Sequence, residues 1–330
     1  MRKVRWGVLS TANIGMSEVL PAMQKGQYSQ ILAIASRSLE KAQAAGQQLG
    51  IPKTYGSYAE LLADPEIEAV YIPLPNHLHI PWSIRALEAG KHVLCEKPLG
   101  MDALDERRLV EVSRRHPDLK VMEAFMYRHH PQWHLARKLV KDGDVGELRS
   151  IHTFFNYYLV DPGNVRNIAD IGGGGLLDVG CYAVSSSRLL FEAEPSRVFA
   201  AIDYDPQFKT DRLTAGILDF DGRMATFTCS TQLTDYQRVV LMGTLGQVEL
   251  ELPFNPLNDR PAKILLKNAS GTNEMELEIC DQYTLQGDLF SKAILEDTPV
   301  PVPLEDAIAN MVAIDGLFQS AKTGGWVKIN

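Results

Sequence analysis

The amino-acid sequence predicts an α/β protein with a doubly wound parallel sheet in its N-terminal part and a large, mainly antiparallel open sheet in its C-terminal part. As far as about residue 125, short apolar segments alternate with helical ones, a pattern typical of a parallel sheet buried on both faces. Beyond that point, longer segments with alternating apolar and polar residues follow one another, joined by hairpin-type turns. This second pattern is typical of an antiparallel sheet.

The first part contains predicted strands and helices in regular alternation. The strands span residues 4–10, 31–36, 69–74, 92–95 and 120–125, and the helices span residues 14–25, 39–49, 58–63, 80–89 and 102–115. The last of these helices has an apolar side formed by Leu104, Leu109, Val110 and Val112. Because crossovers between parallel strands are right-handed, this order predicts a Rossmann sheet, in which ligands bind beyond the carboxyl ends of the strands.

The second part begins with a predicted helix and continues as a run of strands. The helix spans residues 130–142, and the strands span residues 148–158, 197–204, 212–219, 223–232, 238–243 and 247–252. Hairpin turns are predicted at residues 220–223 and 244–246, and two further helices at residues 288–295 and 304–323. We therefore expect one domain at residues 1–123, a second at residues 124–330, and a cleft between them.

Composition and charge narrow the classes of function. The chain has 330 residues, of which 45% are hydrophobic and 22% charged, and its formal net charge is −8. This charge, without a basic cluster, disfavours nucleic acids and anionic membranes as partners. No apolar run reaches the ~18 residues that a membrane span needs, and no signal-peptide pattern is found. Four widely spaced cysteines indicate thiols in a reducing compartment, so we expect a cytoplasmic protein.

A loop of small residues joins the first predicted strand to the first predicted helix. The dinucleotide fingerprint at this position is G-x-G-x-x-G, and here Ser10 and Ala12 replace the first two glycines while Gly15 remains. Small residues still let the backbone approach a pyrophosphate, whose charge suits a helix N-terminus. The alternative is an ordinary β–α turn. The candidate phosphate-binding residues are Ser10, Thr11, Ala12, Asn13 and Ile14.

The end of the second predicted strand favours NADP over NAD. An acidic residue is expected there in an NAD site, where it bonds the ribose 2′-hydroxyl. This chain has Arg37 instead, between Ser36 and Ser38, and a guanidinium matches a phosphate in a bidentate manner. The alternative is a solvated arginine beside a helix-capping serine. We therefore predict NADP as the cofactor, with NAD as the alternative.

The loop after the third predicted strand is rigid and polar. It contains two prolines and the sequence His77-Leu78-His79. No carboxylate or cysteine stands at ligand spacing from the two histidines, so the pattern disfavours a metal site. We expect this loop to frame the nicotinamide ribose, although His79 could instead be an exposed residue at a helix start. The candidate cofactor contacts are Leu74, Pro75, Asn76 and His79.

An acid, a lysine and a proline follow the fourth predicted strand: Glu96, Lys97 and Pro98. A lysine at this edge can polarise or deprotonate a hydroxyl, or it can hold an anionic group. The alternative is a strand end capped by solvated charges, which is the more common case for a lone lysine. We predict that Glu96 and Lys97 contact the cofactor and that Lys97 is catalytic, because the nucleotide loop belongs to the same edge.

A run of glycines in the second part precedes a predicted helix start. Gly172–175 are consecutive glycines, which give a flexible backbone that can approach a ligand closely. Asp178 and Tyr182 follow, four residues apart, so both are expected on one face of the helix. A tyrosine can act as an acid or base if a nearby lysine lowers its pKa. The alternative is a Tyr182 that packs in the core and an Asp178 that caps the helix.

These segments together resemble the Gfo/Idh/MocA family, named after glucose–fructose oxidoreductase and inositol dehydrogenase. The resemblance runs along essentially the whole chain, and the sequence is most similar to the branch of dihydrodiol dehydrogenase and NADP-dependent xylose dehydrogenase. Residues 123–128 and the Asp178-x-x-x-Tyr182 spacing carry the assignment to this branch. The family implies an N-terminal Rossmann domain for the dinucleotide, a C-terminal domain for the substrate, and an oligomer, with a dimer favoured, that forms through the open sheet.

The resemblance also implies roles for individual residues. Lys97 would bond the reacting hydroxyl, Tyr182 would shuttle its proton, and Asp178 would hold the substrate or tune Tyr182. Pro98 would follow a cis peptide bond, and Arg128 would line the cofactor site. The expected substrate contacts are Tyr158, Arg166, Asn167, Asp178 and Tyr182, with Tyr157 nearby.

The implied reaction is hydride transfer between NADP and a polyhydroxylated small molecule, either an aldose or a cyclic trans-diol. One alternative is another reductase of the family, of the inositol, anhydrofructose or biliverdin type. The other is a non-catalytic regulator that binds a dinucleotide, which would not need both Lys97 and Tyr182.

Overall fold

The first half of the chain folds into a parallel sheet of six strands in the order 3-2-1-4-5-6. The order reverses between the first and fourth strands, and this reversal defines the edge where a doubly wound sheet binds ligands. The Rossmann prediction is confirmed. The third strand was not predicted, because it has only three half-buried residues and no apolar run. The strands are β1 (Val4–Leu9), β2 (Ser29–Ala35), β3 (Lys53–Tyr55), β4 (Ala69–Ile72), β5 (His92–Cys95) and β6 (Val121–Glu123).

The helices of this half cover the faces of the sheet. In the fifth helix the predicted apolar side is correct for Leu109, Val110 and Val112, which are buried, but wrong for Leu104, which is 72% exposed; Glu106 is buried as well, at 1% exposed. The Glu106 carboxylate accepts a hydrogen bond from the N–H of Gly100, at 3.0 Å. A π-helical turn (Gly15–Val19) leads into α1 (Leu20–Lys25), and the others are α2 (Leu39–Leu49), α3 (Tyr58–Ala63), α4 (His79–Glu88) and α5 (Ala103–Ser113).

The second half forms a nine-stranded sheet in the order 14-13-12-11-7-10-9-8-15. Only the pair of strands 7 and 10 is parallel, so the sheet is mixed and mostly antiparallel, as predicted. The last three strands in sequence order were not predicted. The strands are β7 (Leu148–Tyr158), β8 (Arg197–Tyr204), β9 (Asp211–Phe220), β10 (Arg223–Ser230), β11 (Gln232–Gly243), β12 (Gly246–Leu250), β13 (Lys263–Asn268), β14 (Gly271–Glu276) and β15 (Val327–Lys328).

Both predicted hairpins are present, because Phe220 pairs with Arg223 and Met242 pairs with Gln247. The helices that follow β6 in the chain are α6 (Pro131–Lys141), α7 (Cys181–Phe191), α8 (Gln282–Leu295) and α9 (Leu304–Thr323). A second π-helical turn, Leu176–Gly180, runs directly into α7. Of the four cysteines, which are thiols, Cys280 is partly exposed and the others are buried.

In this computed structural model, which describes residues 2–329, the chain divides into two compact units. The first unit contains the chain up to Met126 and the segment Asp281–Ile308, and the second contains Tyr127–Cys280 and the chain from Ala309 onward. The sequence indicated one domain boundary near residue 124 and did not indicate that a later segment rejoins the first unit. This segment is held in the first unit by apolar and polar packing, since Trp6 packs against Phe290 at 5.6 Å and its indole N–H donates to Ser291 Oγ at 3.1 Å. Across the described residues, no helix has the length and apolar character required to cross a membrane.

Candidate active site

The turn that carries Lys97 is held by buried carboxylates. The peptide bond between Lys97 and Pro98 is cis, as the resemblance implied. Directly after it, the N–H of Leu99 donates to Glu123 Oε1 at 2.8 Å. The N–H of Gly100 donates to Glu106 in the same way, and Glu123 and Glu106 are 3% and 1% exposed. Lys97 itself is half-buried, and the backbone that follows it is held in place by these two hydrogen bonds.

Glu96 braces the other side of this turn. The hydroxyl of Tyr71 donates to Glu96 Oε1 at 2.7 Å, and the N–H of Lys97 donates to Glu96 Oε2 at 3.3 Å. Burial, together with the Glu96 charge, raises the pKa of Tyr71 well above its usual value. Tyr71 therefore stays protonated and remains a hydrogen-bond donor. Glu96 holds the turn in addition to any contact it makes with a cofactor.

His79 has a structural task that the sequence did not reveal. It was expected to contact the nicotinamide ribose or to be exposed, but it is 1% exposed and begins α4. Its ring nitrogens Nδ1 and Nε2 lie 2.8 Å from the carbonyl oxygen of Pro98 and 2.6 Å from that of Leu74. Burial lowers its pKa to about 4, so the ring is neutral near pH 7. His79 thus ties the loop after β4 to the Lys97 turn.

The loop between β1 and the first helix has a strained residue where the fingerprint has glycine. Ser10 has φ 149°, a backbone conformation that favours glycine. Its Oγ accepts a hydrogen bond from the N–H of Ala12 at 3.0 Å, which stabilises the turn. Thr11, Ala12 and Ile14 are half-buried and Asn13 is exposed. The amide groups of the first helical turn lack partners within their own helix, which suits an anionic phosphate.

The end of β2 presents a cation without a competing anion. Arg37 is exposed, and within residues 2–329 no carboxylate forms an ion pair with it. Ser36 Oγ accepts from the N–H of Ser38, and Ser38 Oγ caps α2. In the loop after β4, Leu74 is buried, whereas Pro75 and Asn76 are half-buried at the start of a 3₁₀ turn. The donor set at this edge therefore fits a dinucleotide that carries a 2′-phosphate.

In the second unit, the glycine run packs against the protein itself. A Cβ at Gly173 would lie 2.6 Å from the carbonyl oxygen of Arg166, and one at Gly174 would lie 1.9 Å from Asp211 Oδ1. Gly172 and Gly174 have φ values of 87° and 122°, which L side chains rarely adopt. The run was expected to give a flexible backbone for a ligand. The structure shows a further reason for glycine at these positions, because neighbouring backbone and a carboxylate fill the space of a side chain.

Asp178 is the centre of a hydrogen-bonded network in the second unit. Tyr157 donates its hydroxyl to Asp178 Oδ2 at 2.5 Å, and Arg166 Nε donates to the same oxygen at 3.0 Å. The side chain of Asp178 is 14% exposed and that of Arg166 is 40% exposed. Burial and the Asp178 charge raise the pKa of Tyr157, while the Asp178 charge raises that of Arg166. Asp178 is therefore held as an acceptor between a neutral phenol and a cation.

Tyr182 has its ring in an apolar environment. The ring is 5% exposed and packs against Phe254, Phe155 and Tyr127, with centroids 5.1, 5.4 and 5.7 Å away. Its charge, when present, would interact with Arg166. The core packing of Tyr182, which was the alternative to a role in catalysis, is thus present, and Tyr182 is also within electrostatic reach of Arg166.

Helical geometry between Asp178 and Tyr182 differs from the expected α-helix. Asp178 lies within the π-helical turn Leu176–Gly180, and Tyr182 lies on the first turn of α7. A π-helical turn inside an α-helix is rare and is frequent at functional sites. The sequence carries no sign of this extra residue in the turn.

Two predicted substrate contacts are placed elsewhere. Tyr158 follows Tyr157 on β7, and successive side chains of a strand point to opposite faces. Tyr157 reaches Asp178, whereas Tyr158 is 65% exposed. Asn167 is 4% exposed, and its amide nitrogen donates to the carbonyl oxygen of Asp161 at 2.8 Å, so it braces a loop. Arg128 is half-buried on the 3₁₀ turn Met126–His129.

The candidate catalytic side chains form two sets, one in each unit, and each set has its own chemistry. Lys97 in the first unit can donate a hydrogen bond to an oxygen, and Tyr182 and Asp178 in the second can exchange or accept a proton. No cluster of three or more metal-ligating side chains occurs in the described part of the chain. Sequence reasoning missed Glu106, Glu123 and Asp211, which support these two sets.

Comparison with known proteins defines the class. A family model described as "Oxidoreductase family, NAD-binding Rossmann fold" matches residues 4–125, and the GFO/IDH/MocA C-terminal domain matches residues 133–249. NADP-dependent D-xylose 1-dehydrogenase 2 of Haloferax volcanii is 36% identical over 98% of this chain and 99% of its own length. Mouse trans-1,2-dihydrobenzene-1,2-diol dehydrogenase is 31% identical over 77% of this chain and 76% of its own.

A solved structure with the same fold is the 3-ketoreductase of Actinomadura kijaniata in complex with NADP and TDP-benzene. Its identity to this chain is 29%, its TM-score is 0.91, and the match covers 96% of this chain and 98% of the other. The protein is thus a dinucleotide-binding oxidoreductase by fold and sequence. It belongs to the Gfo/Idh/MocA family, and the similarity to xylose and dihydrodiol dehydrogenases confirms the predicted resemblance.

Proposed function

We propose that this protein is an NADP-dependent oxidoreductase that transfers a hydride between the nicotinamide and a CH–OH group of an aldose, such as xylose or glucose, or of a cyclic trans-diol. The observation that carries the proposal is the Asp178 network: a carboxylate fixed by Tyr157 and Arg166, four residues from Tyr182. A non-catalytic regulator has no need for such a network together with Lys97 on its braced turn. The bound nicotinamide would supply the hydride chemistry.

In this proposal, two side chains act on the reacting hydroxyl and a third holds the substrate. Lys97 donates a hydrogen bond to its oxygen and stabilises negative charge that develops there. Tyr182 takes the proton in oxidation and returns it in reduction. Asp178 accepts a hydrogen bond from a neighbouring hydroxyl of the substrate, since its carboxylate, already paired with Arg166, has further acceptor positions.

The residues that would hold the cofactor belong to the first unit. The turn from Ser10 to Ile14 would take the pyrophosphate, and Arg37 would take the 2′-phosphate. Pro75, Asn76 and Glu96 would line the nicotinamide half, with Arg128 from the second unit as a further candidate. NADP-bound and NADP-named relatives support this assignment.

Arg37→Asp should reverse the cofactor preference. The guanidinium that matches the 2′-phosphate is replaced by a carboxylate, which repels that phosphate and can accept a hydrogen bond from the 2′-hydroxyl of NAD. We expect kcat/KM for NADP to fall by about 10²-fold, on the scale of a lost charged hydrogen-bond pair. The measurement is kcat/KM with each cofactor at a fixed substrate concentration. Arg85→Asp, on α4, is the control, and an unchanged NADP/NAD ratio in Arg37→Asp would exclude this role.

The relatives bear on the substrate class. Xylose and dihydrobenzene-diol dehydrogenases are among them, and the solved 3-ketoreductase structure contains NADP and TDP-benzene. We assign aldoses and trans-diols first. A nucleotide-linked keto sugar is the second candidate, because 3-reductases of dTDP-linked sugars are also similar in sequence. Initial rates with a panel of aldoses, inositols, trans-diols and a TDP-linked sugar separate these classes. An absence of turnover with the whole panel, in both directions and with both cofactors, would refute the proposed function.

We further propose that the chain forms a homodimer through the open face of the nine-stranded sheet. Phe154 and Tyr236 are 38% and 43% exposed and their rings pair at 5.8 Å, and Met242, 41% exposed, lies farther along the same face. Apolar side chains grouped on one face are typical of protein interfaces. Phe154→Glu should convert the dimer to a monomer in light scattering after gel filtration. Leu104→Glu, at an apolar site 72% exposed, should not, and a monomeric wild type would contradict the proposal.

A further inference from the structure

Asp211 is a buried carboxylate that no part of the proposed reaction uses. It is the first residue of β9 and is 2% exposed. Within residues 2–329 it forms no ion pair, so no cation compensates its charge. A buried carboxylate without a cation is costly unless hydrogen bonds stabilise its ionised form. The question is what those hydrogen bonds hold in place.

The donors to Asp211 come from the segment that leads to Asp178. The backbone N–H of Leu176 donates to Asp211 Oδ2 at 2.5 Å, and the N–H of Gly175 also donates to this carboxylate. Thr214 adds a longer hydroxyl contact at 3.4 Å. These amides are at the start of the helical segment formed by Leu176–Gly180 and α7, where backbone N–H groups lack partners within the helix. A negative charge at that end is also favoured by the helix dipole.

The fit between Asp211 and the glycine run is close. The site that a Cβ of Gly174 would occupy is 1.9 Å from Asp211 Oδ1, so only glycine admits the carboxylate. Gly174 also adopts φ 122°. The absence of a side chain at Gly174 thus makes room for the carboxylate of Asp211, which is distant in the sequence. Asp178 follows Leu176 by two residues and Tyr182 follows by six, so the direction of this helical start sets where both side chains stand.

We propose that Asp211 is a positioning residue, whose ionised carboxylate anchors the N-terminus of the helix that carries Asp178 and Tyr182. This inference rests on the proposed function, because it assigns those two residues to the reaction. The anchor acts only when it is charged. A protonated carboxyl must turn one O–H outward and can no longer accept hydrogen bonds at both oxygens.

The ionisation of Asp211 gives this role a pH signature. Burial raises its pKa from 3.8 to about 7, so the anchor is protonated below that pH and charged above it. The titratable side chains around it on neighbouring strands are uncharged near pH 7, because burial raises the pKa of each: Tyr157, Tyr204 and Cys229. On the helical side there is the ion pair of Asp178 with Arg166, and next to Asp211 in sequence Arg212 pairs with Asp203. The change in charge near pH 7 is therefore that of Asp211 itself.

The decisive comparison is Asp211→Asn against the wild type across pH. Asparagine has the same size but keeps one acceptor oxygen and no charge. Above pH 7, we expect kcat to fall about 10-fold, the scale of a small misplacement of reacting groups, while the Kd for NADP remains unchanged. The ratio of wild-type kcat to variant kcat should approach one at pH 5.5, where Asp211 is protonated, and should rise through pH 7. A ratio that is independent of pH would overturn the proposal.

Two further measurements separate positioning from general damage. In a Tyr182→Phe background, Asp211→Asn should lower kcat by a smaller factor than in the wild type, because one of the two side chains that it positions has lost its reacting oxygen; full additivity would contradict the role. Asp219→Asn is the matched control, since Asp219 is a 5%-exposed carboxylate at the other end of β9 that accepts the N–H of Gly222. It should leave kcat near the wild-type value.

Amide hydrogen exchange tests the anchor without any substrate. Asp211→Asn should speed exchange at residues 176–182 at pH 8 and leave the strands of the first sheet unchanged. If the wild type turns over no substrate yet exchange at 176–182 increases in the variant, the proposed function fails and the anchor stands. If the wild type is active and neither kcat nor exchange changes in Asp211→Asn, the anchor is refuted alone.

Discussion

Replacing Lys97 by methionine should lower kcat by about 10²-fold or more, the usual scale for loss of a group that assists proton transfer. Methionine keeps the length and packing of the lysine stem but has no N–H donor and no charge. The turn around it should persist, because its hydrogen bonds are made by the backbone of Leu99 and Gly100 to Glu123 and Glu106. The measurement is kcat at saturating NADP and substrate, with the unfolding midpoint recorded alongside.

Lys120→Met provides the matched control for Lys97→Met. Lys120 is in the same unit, its side chain is 15% exposed, and it pairs with the exposed Asp297 at 2.7 Å. Such a pair contributes little to stability, and the residue immediately precedes β6. We expect wild-type turnover from Lys120→Met. Turnover by Lys97→Met within threefold of the wild type would exclude a catalytic role of Lys97.

The elements that could be predicted from the sequence are those with a strong periodic pattern. The buried strands β1, β2, β4 and β5 are almost continuous runs of apolar residues, and the long strands of the second sheet alternate. The strand Lys53–Tyr55 could not be predicted, because it is short and pairs only at the sheet edge. The return of α8 to the first unit depends on contacts such as Trp6 with Phe290, which join distant parts of the chain.

In the candidate site, too, local sequence motifs could be recognised, whereas contacts between distant parts of the chain could not. The positions of Lys97, Asp178 and Tyr182 could be identified from local motifs. Their supports could not, because a charged helix residue such as Glu106 is usually exposed, whereas here it is buried and its carboxylate accepts a backbone N–H. The roles of His79 and Asp211 likewise depend on contacts with carbonyl and amide groups that have no signature in the sequence.

The glycine run shows how one motif can have two physical reasons. The glycines suggested a backbone that approaches a ligand, yet Gly173 and Gly174 face the carbonyl oxygen of Arg166 and the carboxylate of Asp211. Both readings require glycine, so composition alone cannot separate them. The distinction matters for experiments, because an alanine at Gly174 tests the support of the helix and says nothing of ligand approach.

Tyr182→Phe should also lower kcat by about 10²-fold or more, since it removes only the oxygen that is proposed to exchange a proton. The ring would remain among Phe254, Phe155 and Tyr127, so the fold should be retained. If Tyr182 served packing alone, phenylalanine would replace it without loss of turnover. kcat and the unfolding midpoint, measured on the same preparation, therefore separate the two roles.

Tyr127→Phe makes this comparison sharper, because it removes a second hydroxyl from the same aromatic group. Tyr127 is fully buried and its hydroxyl is hydrogen-bonded to Ser185 Oγ at 2.7 Å. Its loss should cost about 1 kcal/mol of stability and little turnover, whereas Tyr182→Phe should cost turnover and little stability. Equal effects of the two variants on kcat would mean that the aromatic group needs its polar atoms for packing. If Tyr127→Phe lowers stability and Tyr182→Phe lowers turnover, the proton transfer is assigned to Tyr182, because the two variants differ only in which hydroxyl is missing.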